Sequence, residues 1–249
     1  MKREDFKIEI CANSLESALI AARSGADRIE LCAGMPEGGT TPSWGEMACV
    51  HEMAAIRLHV IIRPRGGDFL YSPGERKVML RDIEVARNLG AEGVVIGCLN
   101  ADGEVDVPVM KEMMRAAEGM SVTFHRAFDM CRNPLEALYI IEELGCERIL
   151  TSGQAASAEA GIPLLRQLVK QAREVIIMPG CGVNAQNIGK IAEQTGAYEF
   201  HLSARGTVLS EMRYRNSEVS MGGTVRIAEY EREVTCEEKI RQVILALEA

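Results

Sequence analysis

Ser121-Val122-Thr123-Phe124-His125 alternates polar and apolar side chains, with Val122 and Phe124 on one face and Thr123 and His125 on the other. Side chains of a strand alternate with period two. The same alternation recurs in Ile8-Glu9-Ile10-Cys11, Ile29-Glu30-Leu31-Cys32, Leu58-His59-Val60-Ile61-Ile62-Arg63 and Phe200-His201-Leu202-Ser203. Parallel strands covered by helices normally read as unbroken Val/Ile/Leu runs. A polar second face repeated from strand to strand predicts that these strands converge on a shared polar interior.

Working outward, strands are expected at Lys7–Cys11, Arg28–Cys32, Leu58–Arg63, Gly93–Leu99, Ser121–His125, Arg148–Ser152, Val175–Met178 and Glu199–Ser203. Their starts are separated by roughly 20 to 35 residues, the repeat of a βα unit. Helices between them carry start and stop signals. Asn13 or Ser14 precedes Leu15–Ser24, Ser43 precedes Trp44–Met53, Asn133-Pro134 opens a helix that Gly145 ends, and Asn184 precedes Ala185–Gln194. A last helix is expected over about Thr235–Leu247. Alternating βα units imply a parallel sheet. The first turn, Cys11-Ala12-Asn13-Ser14, lacks the GxGxxG that an open dinucleotide-binding sheet would need. The fold class is therefore α/β, a (β/α)8 TIM barrel, with residues 1–249 forming a single domain.

Composition narrows the function classes. Of 249 residues, 47% are hydrophobic and 26% charged, the balance of an ordinary globular chain. A net charge of −8 argues against a nucleic-acid partner, which needs a basic face. No apolar run approaches the 18 or so residues of a membrane span, and Met1-Lys2-Arg3-Glu4-Asp5 lacks the apolar core of a signal peptide. A cytoplasmic protein is expected, with its eight cysteines as free thiols. No pair has CxxC spacing, so a zinc ribbon is disfavoured.

Three connections that follow strand C-termini are long: Ala33–Pro42, Pro64–Gly74 and Arg205–Glu231, the last containing Gly222-Gly223. Active sites of barrels form on that rim. Glu30, His59, Arg63, His125 and His201 should face the interior, with Arg126 and Asp129 just beyond. Carboxylates, arginines and histidines in one low-dielectric cup shift one another's pKa values. If the site is catalytic, the residues are Glu30, His125, Arg63, Asp129 and His201. For Glu9, Arg28 and Glu30 a buried ion-pair network that fixes register explains the pattern equally well.

Cys11 and Cys32 each follow an acidic residue by two positions. On neighbouring strands, about 4.8 Å apart, they would stand at one height and could clamp Cu(I), which favours sulfur; packed thiols are the alternative. Gly180-Cys181-Gly182 after the seventh strand and Ser203-Ala204-Arg205 after the eighth suit an anion on backbone N–H groups. A plain tight turn also accounts for the glycines. Cys181 is a third sulfur at that rim. Arg63-Pro64-Arg65-Gly66-Gly67-Asp68 places two guanidinium groups for a carboxylate or phosphate, or for Asp pairs within the loop.

Taken together, Ala26-Asp27-Arg28-Ile29-Glu30-Leu31-Cys32, Glu37-Gly38-Gly39-Thr40-Thr41-Pro42-Ser43, Ile62-Arg63-Pro64-Arg65-Gly66-Gly67-Asp68-Phe69, Val122-Thr123-Phe124-His125-Arg126-Ala127-Phe128-Asp129, Leu150-Thr151-Ser152-Gly153 and Met212-Arg213-Tyr214-Arg215-Asn216 resemble the CutC family of copper homeostasis proteins. The similarity runs from about Ile8 to the last helix. It implies a cytosolic barrel, a homo-oligomer (dimer or tetramer), copper as Cu(I), no organic cofactor and no membrane partner. It also implies metal-binding cysteines near the ends of the first strands, where Cys11 and Cys32 stand. Relatives commonly read Gly-Gly-Gly or Gly-Ala-Gly where this chain has Gly180-Cys181-Gly182, so Cys181 is not implied as a family ligand. The acid, base and arginine cup is not explained by copper carriage. It leaves a second expectation: an enzyme (lyase, isomerase or hydrolase) for a small anionic substrate, phosphorylated compounds among them, with Arg63 and Arg65 orienting it and Gly180, Gly182, Ser203 and Arg205 holding its anionic group.

Overall fold

The computed structural model describes residues 1–222 and 227–249; Gly223, the second glycine of the Gly222-Gly223 pair in the longest connection, lies outside them. Eight strands follow the predicted order: β1 Lys7–Ala12, β2 Arg28–Leu31, β3 Arg57–Ile61, β4 Gly93–Ile96, β5 Ser121–Phe124, β6 Arg148–Thr151, β7 Ile176–Pro179 and β8 Glu199–Leu202. They pair in the order β7-β6-β5-β4-β3-β2-β1-β8. β1 thus lies between β2 and β8, both parallel to it, and β7 packs beside β8 to bring the sheet round on itself. This is the expected (β/α)8 barrel.

The helices are α1 Leu15–Arg23, α2 Trp44–Met53, α3 Pro73–Asn88, α4 Val107–Ala116, α5 Pro134–Glu143, α6 Ile162–Gln171, α7 Ile188–Thr195 and α8 Glu237–Glu248. Side chains satisfy the free N–H groups at several starts. Ser14, Ser43 and Asn133 accept from the backbone three residues on, at Ser17, Glu46 and Glu136. Ser72 and Glu75 do so reciprocally at α3. Each such cap is worth about 1 kcal/mol. Helix α7 starts three residues later than the sequence suggests. Asn184 spends its side-chain oxygen on Gln186 N in a turn, and its own N–H goes to the Asn187 side chain.

The outward faces of the strands form the main core with the helices: Ile8, Ile10, Ile29, Leu31, Val60, Val94, Ile96, Val122, Phe124 and Phe200 are all fully buried there. Inside the ring lies a separate small cluster of Cys11, Cys32, Ile61 and Val95. The period-two pattern therefore divides the residues as predicted, apolar outward and mostly polar inward.

The long segment after β8 is not a plain loop. Its ends form an antiparallel hairpin, β9 Arg205–Leu209 with β10 Glu231–Thr235. Much of it is exposed, so it carries none of the burial alternation that marks the barrel strands. Asn13 and Ser17 at the start of α1 fasten it, through Asn13 Nδ2 to Glu233 O and Thr235 N to Ser17 Oγ. That anchoring sets Arg205 at the barrel mouth.

Candidate functional site

The first residues of several strands build a floor. Arg28 opens β2, Arg148 opens β6 and Glu199 opens β8. Arg28 Nε donates to Glu9, Arg28 Nη2 donates to Glu199 Oε2 at 2.8 Å, and Arg148 Nε donates to the same oxygen at 2.7 Å. All four are buried. Two cations and two carboxylates compensate one another, so the Arg28 pairing overcomes burial and holds Glu9 far below the usual carboxylate range. His59 sits beside them, neutral, pushed down to about 3 by burial. Gly93 makes room for its ring, since a Cβ there would stand 2.6 Å from Nε2. Glu9 and Arg28 are thus paired within this ion network, which Glu30 meets only through His201.

One layer up, His201 links floor to cavity. Its Nδ1 lies 2.7 Å from Glu9 Oε1 and its Nε2 3.6 Å from Glu30 Oε2. Burial opposes charge on this ring, but hydrogen bonds with Cys11 and Glu9 and the nearby carboxylates hold it well above an ordinary histidine. Glu30 behaves oppositely. Burial, with Cys11 and Glu9 adding to it and His201 opposing, raises it to about 8. It is a carboxylic acid at neutral pH.

Cys11 Sγ and Cys32 Sγ lie 3.7 Å apart. One ligand atom from each of Cys11, Glu30 and Cys32 fits within 4.8 Å of the others. Equal height is not how the thiols meet: Cys11 pairs in register with Glu30, and Cys32 lies two residues further along. The side chains lean across the stagger. The two thiols are shifted in opposite directions. The hydrogen bond between Cys11 and Cys32 outweighs burial and, with His201 and Arg205 nearby, holds Cys11 well below an ordinary thiol. The same hydrogen bond, burial and Glu30 hold Cys32 well above one. Of the two sulfurs, Cys11 is the one pushed toward the thiolate and Cys32 the one pushed toward the thiol.

Above them opens a cavity of about 280 Å³ whose lining includes Cys11, Glu30, Cys32, Arg63, His125, Gly182, His201, Ser203 and Arg205. Arg63 fixes two loops of the rim. Its Nη1 donates to Glu37 O and Gly39 O, both at 2.9 Å, and its Nη2 to Gly67 O at 2.8 Å. Its Nε is buried with no partner among the described residues. His125 Nδ1 accepts from Ala127 N at 3.2 Å, which puts the ring proton on Nε2, and Nε2 likewise has no partner among the described residues. Burial, then Arg63, pushes this imidazole down to about 3. It is a neutral donor.

Three residues expected here stand elsewhere. Arg65 turns outward to Glu75 Oε1 at 2.5 Å and Asp68 Oδ1 at 3.1 Å, pinning its own loop. Asp129 turns to the start of the next connection, accepting from Ser152 N at 3.0 Å, Gln154 N at 3.2 Å and Thr151 Oγ1 at 2.5 Å. Gly180 lies behind the wall, where a Cβ would stand 2.5 Å from Leu150 Cδ1. Cys181 and Gly182 both have left-handed backbones, φ 76° and 74°, and both reach the cavity. The apolar walls, among them Met35, Phe69, Leu150 and Val183, escape sequence reasoning because loops and strand ends deliver them. Phe69 carries the one usable signal, an aromatic ring that the Arg63 guanidinium covers at 5.0 Å.

The model of the CutC family matches residues 6–206. A protein of Bacteroides thetaiotaomicron described as family protein CutC is 61% identical over 246 residues, covering 98% of this chain and 99% of its own. The human protein described as copper homeostasis protein cutC homolog is 48% identical over 237 residues, covering 95% of this chain and 87% of its own. The crystal structure of CutC from Streptococcus agalactiae superposes with a TM-score of 0.76 at 31% identity, covering 79% of this chain and 97% of that one. A thiamine phosphate pyrophosphorylase from Pyrococcus furiosus, at 14% identity and a TM-score of 0.60, shares the fold alone. Barrel, matched segment and full-length identity agree: the chain belongs to the CutC copper homeostasis family.

Proposed function

We propose that this chain binds Cu(I) through Cys11 and Cys32 and takes part in copper handling in the cytosol. The observation that carries the reading is the 3.7 Å approach of two sulfurs in a cavity open to the barrel mouth. Cu(I) is a soft ion that selects thiolates, and the thiolate is the binding form of cysteine. Cys32, His201 and Arg205 push Cys11 toward that form. Cys32 joins it by releasing its proton, so affinity weakens as pH falls. Glu30 is the third nearby donor, but a protonated carboxyl is a poor partner for a soft ion. Eight free cysteines fit a reducing compartment. The homo-oligomer is carried by the family resemblance.

Competition for Cu(I) with a chromogenic chelator tests the site. Cys11→Ser with Cys32→Ser is expected to lower Cu(I) affinity by a hundredfold or more in the folded protein. Unchanged affinity in that double variant removes the site.

A further inference from the structure

A single ion held by two sulfurs accounts for one corner of this cavity. The space is about 280 Å³, close to the lower end of small-molecule pockets at roughly 300 Å³. Met35, Phe69, Leu150 and Val183 give it apolar walls far from any need of a metal. Two of the residues that line it, Arg63 and His125, 6% and 3% exposed, each carry a buried donor without a partner among the described residues, Arg63 Nε and His125 Nε2–H. Leaving a buried donor unpaired costs about 1–3 kcal/mol, so an acceptor from outside the chain, water or an anion, would complete both. Arg205, which also lines the cavity, adds a third Nε with no partner among the described residues, its Nη1 being taken by Glu233 at 2.9 Å. Arg63 and Arg205 favour a negative charge there. His125 is neutral and supplies a hydrogen bond without competing for that charge.

We propose that the cavity is a binding site for a small organic anion, its oxyanion group seated on Arg63 and His125 and its compact apolar body against Phe69 and Leu150. The site shares its space with the copper reading but none of its donors, so either can fail alone. Carboxylates and phosphate monoesters both offer the required acceptor oxygens, and the experiment separates them.

Full-length, reduced, metal-free protein is titrated by calorimetry with phenylacetate and isovalerate, with phenyl phosphate, and with inorganic phosphate as the bodiless anion. Phenylacetamide and isovaleramide serve as uncharged counterparts. At least one organic anion is expected to bind with millimolar or better affinity, tenfold or more tighter than its amide or inorganic phosphate. Which of the carboxylates or phenyl phosphate leads identifies the head group. His125→Phe keeps a ring in the space and deletes the donor, and is expected to weaken that anion at least tenfold. The wild-type His125 Nε2 resonance in 15N-histidine spectra is expected to shift on saturation, a readout that needs no variant. Cys11→Ser with Cys32→Ser is expected to keep the anion while losing Cu(I). The proposal is overturned if no organic anion binds at 10 mM, if amides bind as well as anions, or if the His125 resonance does not move at saturation.

Discussion

The floor and the cavity of this barrel are built from the same residue types, only one layer apart, and they differ in pairing. On the floor every charge has its opposite: Arg28 and Arg148 meet Glu9 and Glu199. In the cavity the accounts stay open. Burial outweighs His201, 3.6 Å away, and keeps Glu30 protonated at neutral pH, Cys11 and Cys32 are pushed in opposite directions, and Arg63 Nε and His125 Nε2 have no acceptor among the described residues. A buried polar residue is thus a poor sign of function by itself. Its unmet valence is the sign.

Breaking the floor should produce the largest effect. Arg28→Met leaves Glu9 with His201 as its remaining partner and Glu199 with Arg148. Removing one member of a buried ion pair costs about 3–5 kcal/mol. Denaturant unfolding is expected to show a loss of that order, and Arg28→Met with Glu9→Gln is expected to recover part of it by removing the stranded charge. A loss under about 1 kcal/mol, or no recovery in the pair, would make the floor no more than filler.

The cavity should answer through pH. Glu30 binds its proton up to about 8 in the fold, against 4.5 as the ordinary value. Between those values the folded chain holds a proton that the unfolded chain has released, so this group lowers stability as pH rises, by at most about 1.4 kcal/mol per unit. The penalty is absent below the ordinary value and complete above 8. Glu30→Gln removes it. The variant is therefore expected to match the parent near pH 4.5 and to exceed it by a few kcal/mol at pH 8.5, read as a widening gap in melting temperature. A gap that stays flat across that window would mean that Glu30 is ionised, and the contrast with the floor would lose its main term.

Much of the fold could be read in the residues, and the places where reading stopped share a cause. Lys7, Arg28, Gly93, Ser121, Arg148 and Glu199 begin strands where alternation puts them. The ends were drawn too long, at Cys32, Arg63, Leu99, His125, Ser152 and Ser203, which lie just past the ladders. Except for Leu99 and Ser152, those overshoots line the cavity. The pattern of a strand runs on by a residue or two after its hydrogen bonds cease, and that overhang is where side chains reach the mouth. What alternation cannot carry is direction within a loop. Asp129 follows His125 by four residues, yet a turn at Arg126–Met130 aims it at Ser152 and Gln154. Register was equally hidden, so the meeting of Cys11 and Cys32 depends on a two-residue stagger that spacing alone does not give.

The neighbouring arginines of one loop give the smallest and sharpest comparison. Arg63 is 6% exposed and gives three hydrogen bonds to carbonyls of two loops. Arg65, two residues on, shows 36% of its side chain to solvent and pairs with Asp68 and Glu75. Solvent screens such pairs to about 0.2–1 kcal/mol. Arg65→Ala is expected to lower stability by no more than about 1 kcal/mol and to leave Cu(I) competition within twofold of the parent. The same assays would show the loop to be part of the site if Arg65→Ala weakened Cu(I) tenfold. The guanidinium beside the glycine pair would then act on the cavity through the backbone of Gly66 and Gly67, and the outward turn of its side chain would no longer separate frame from function.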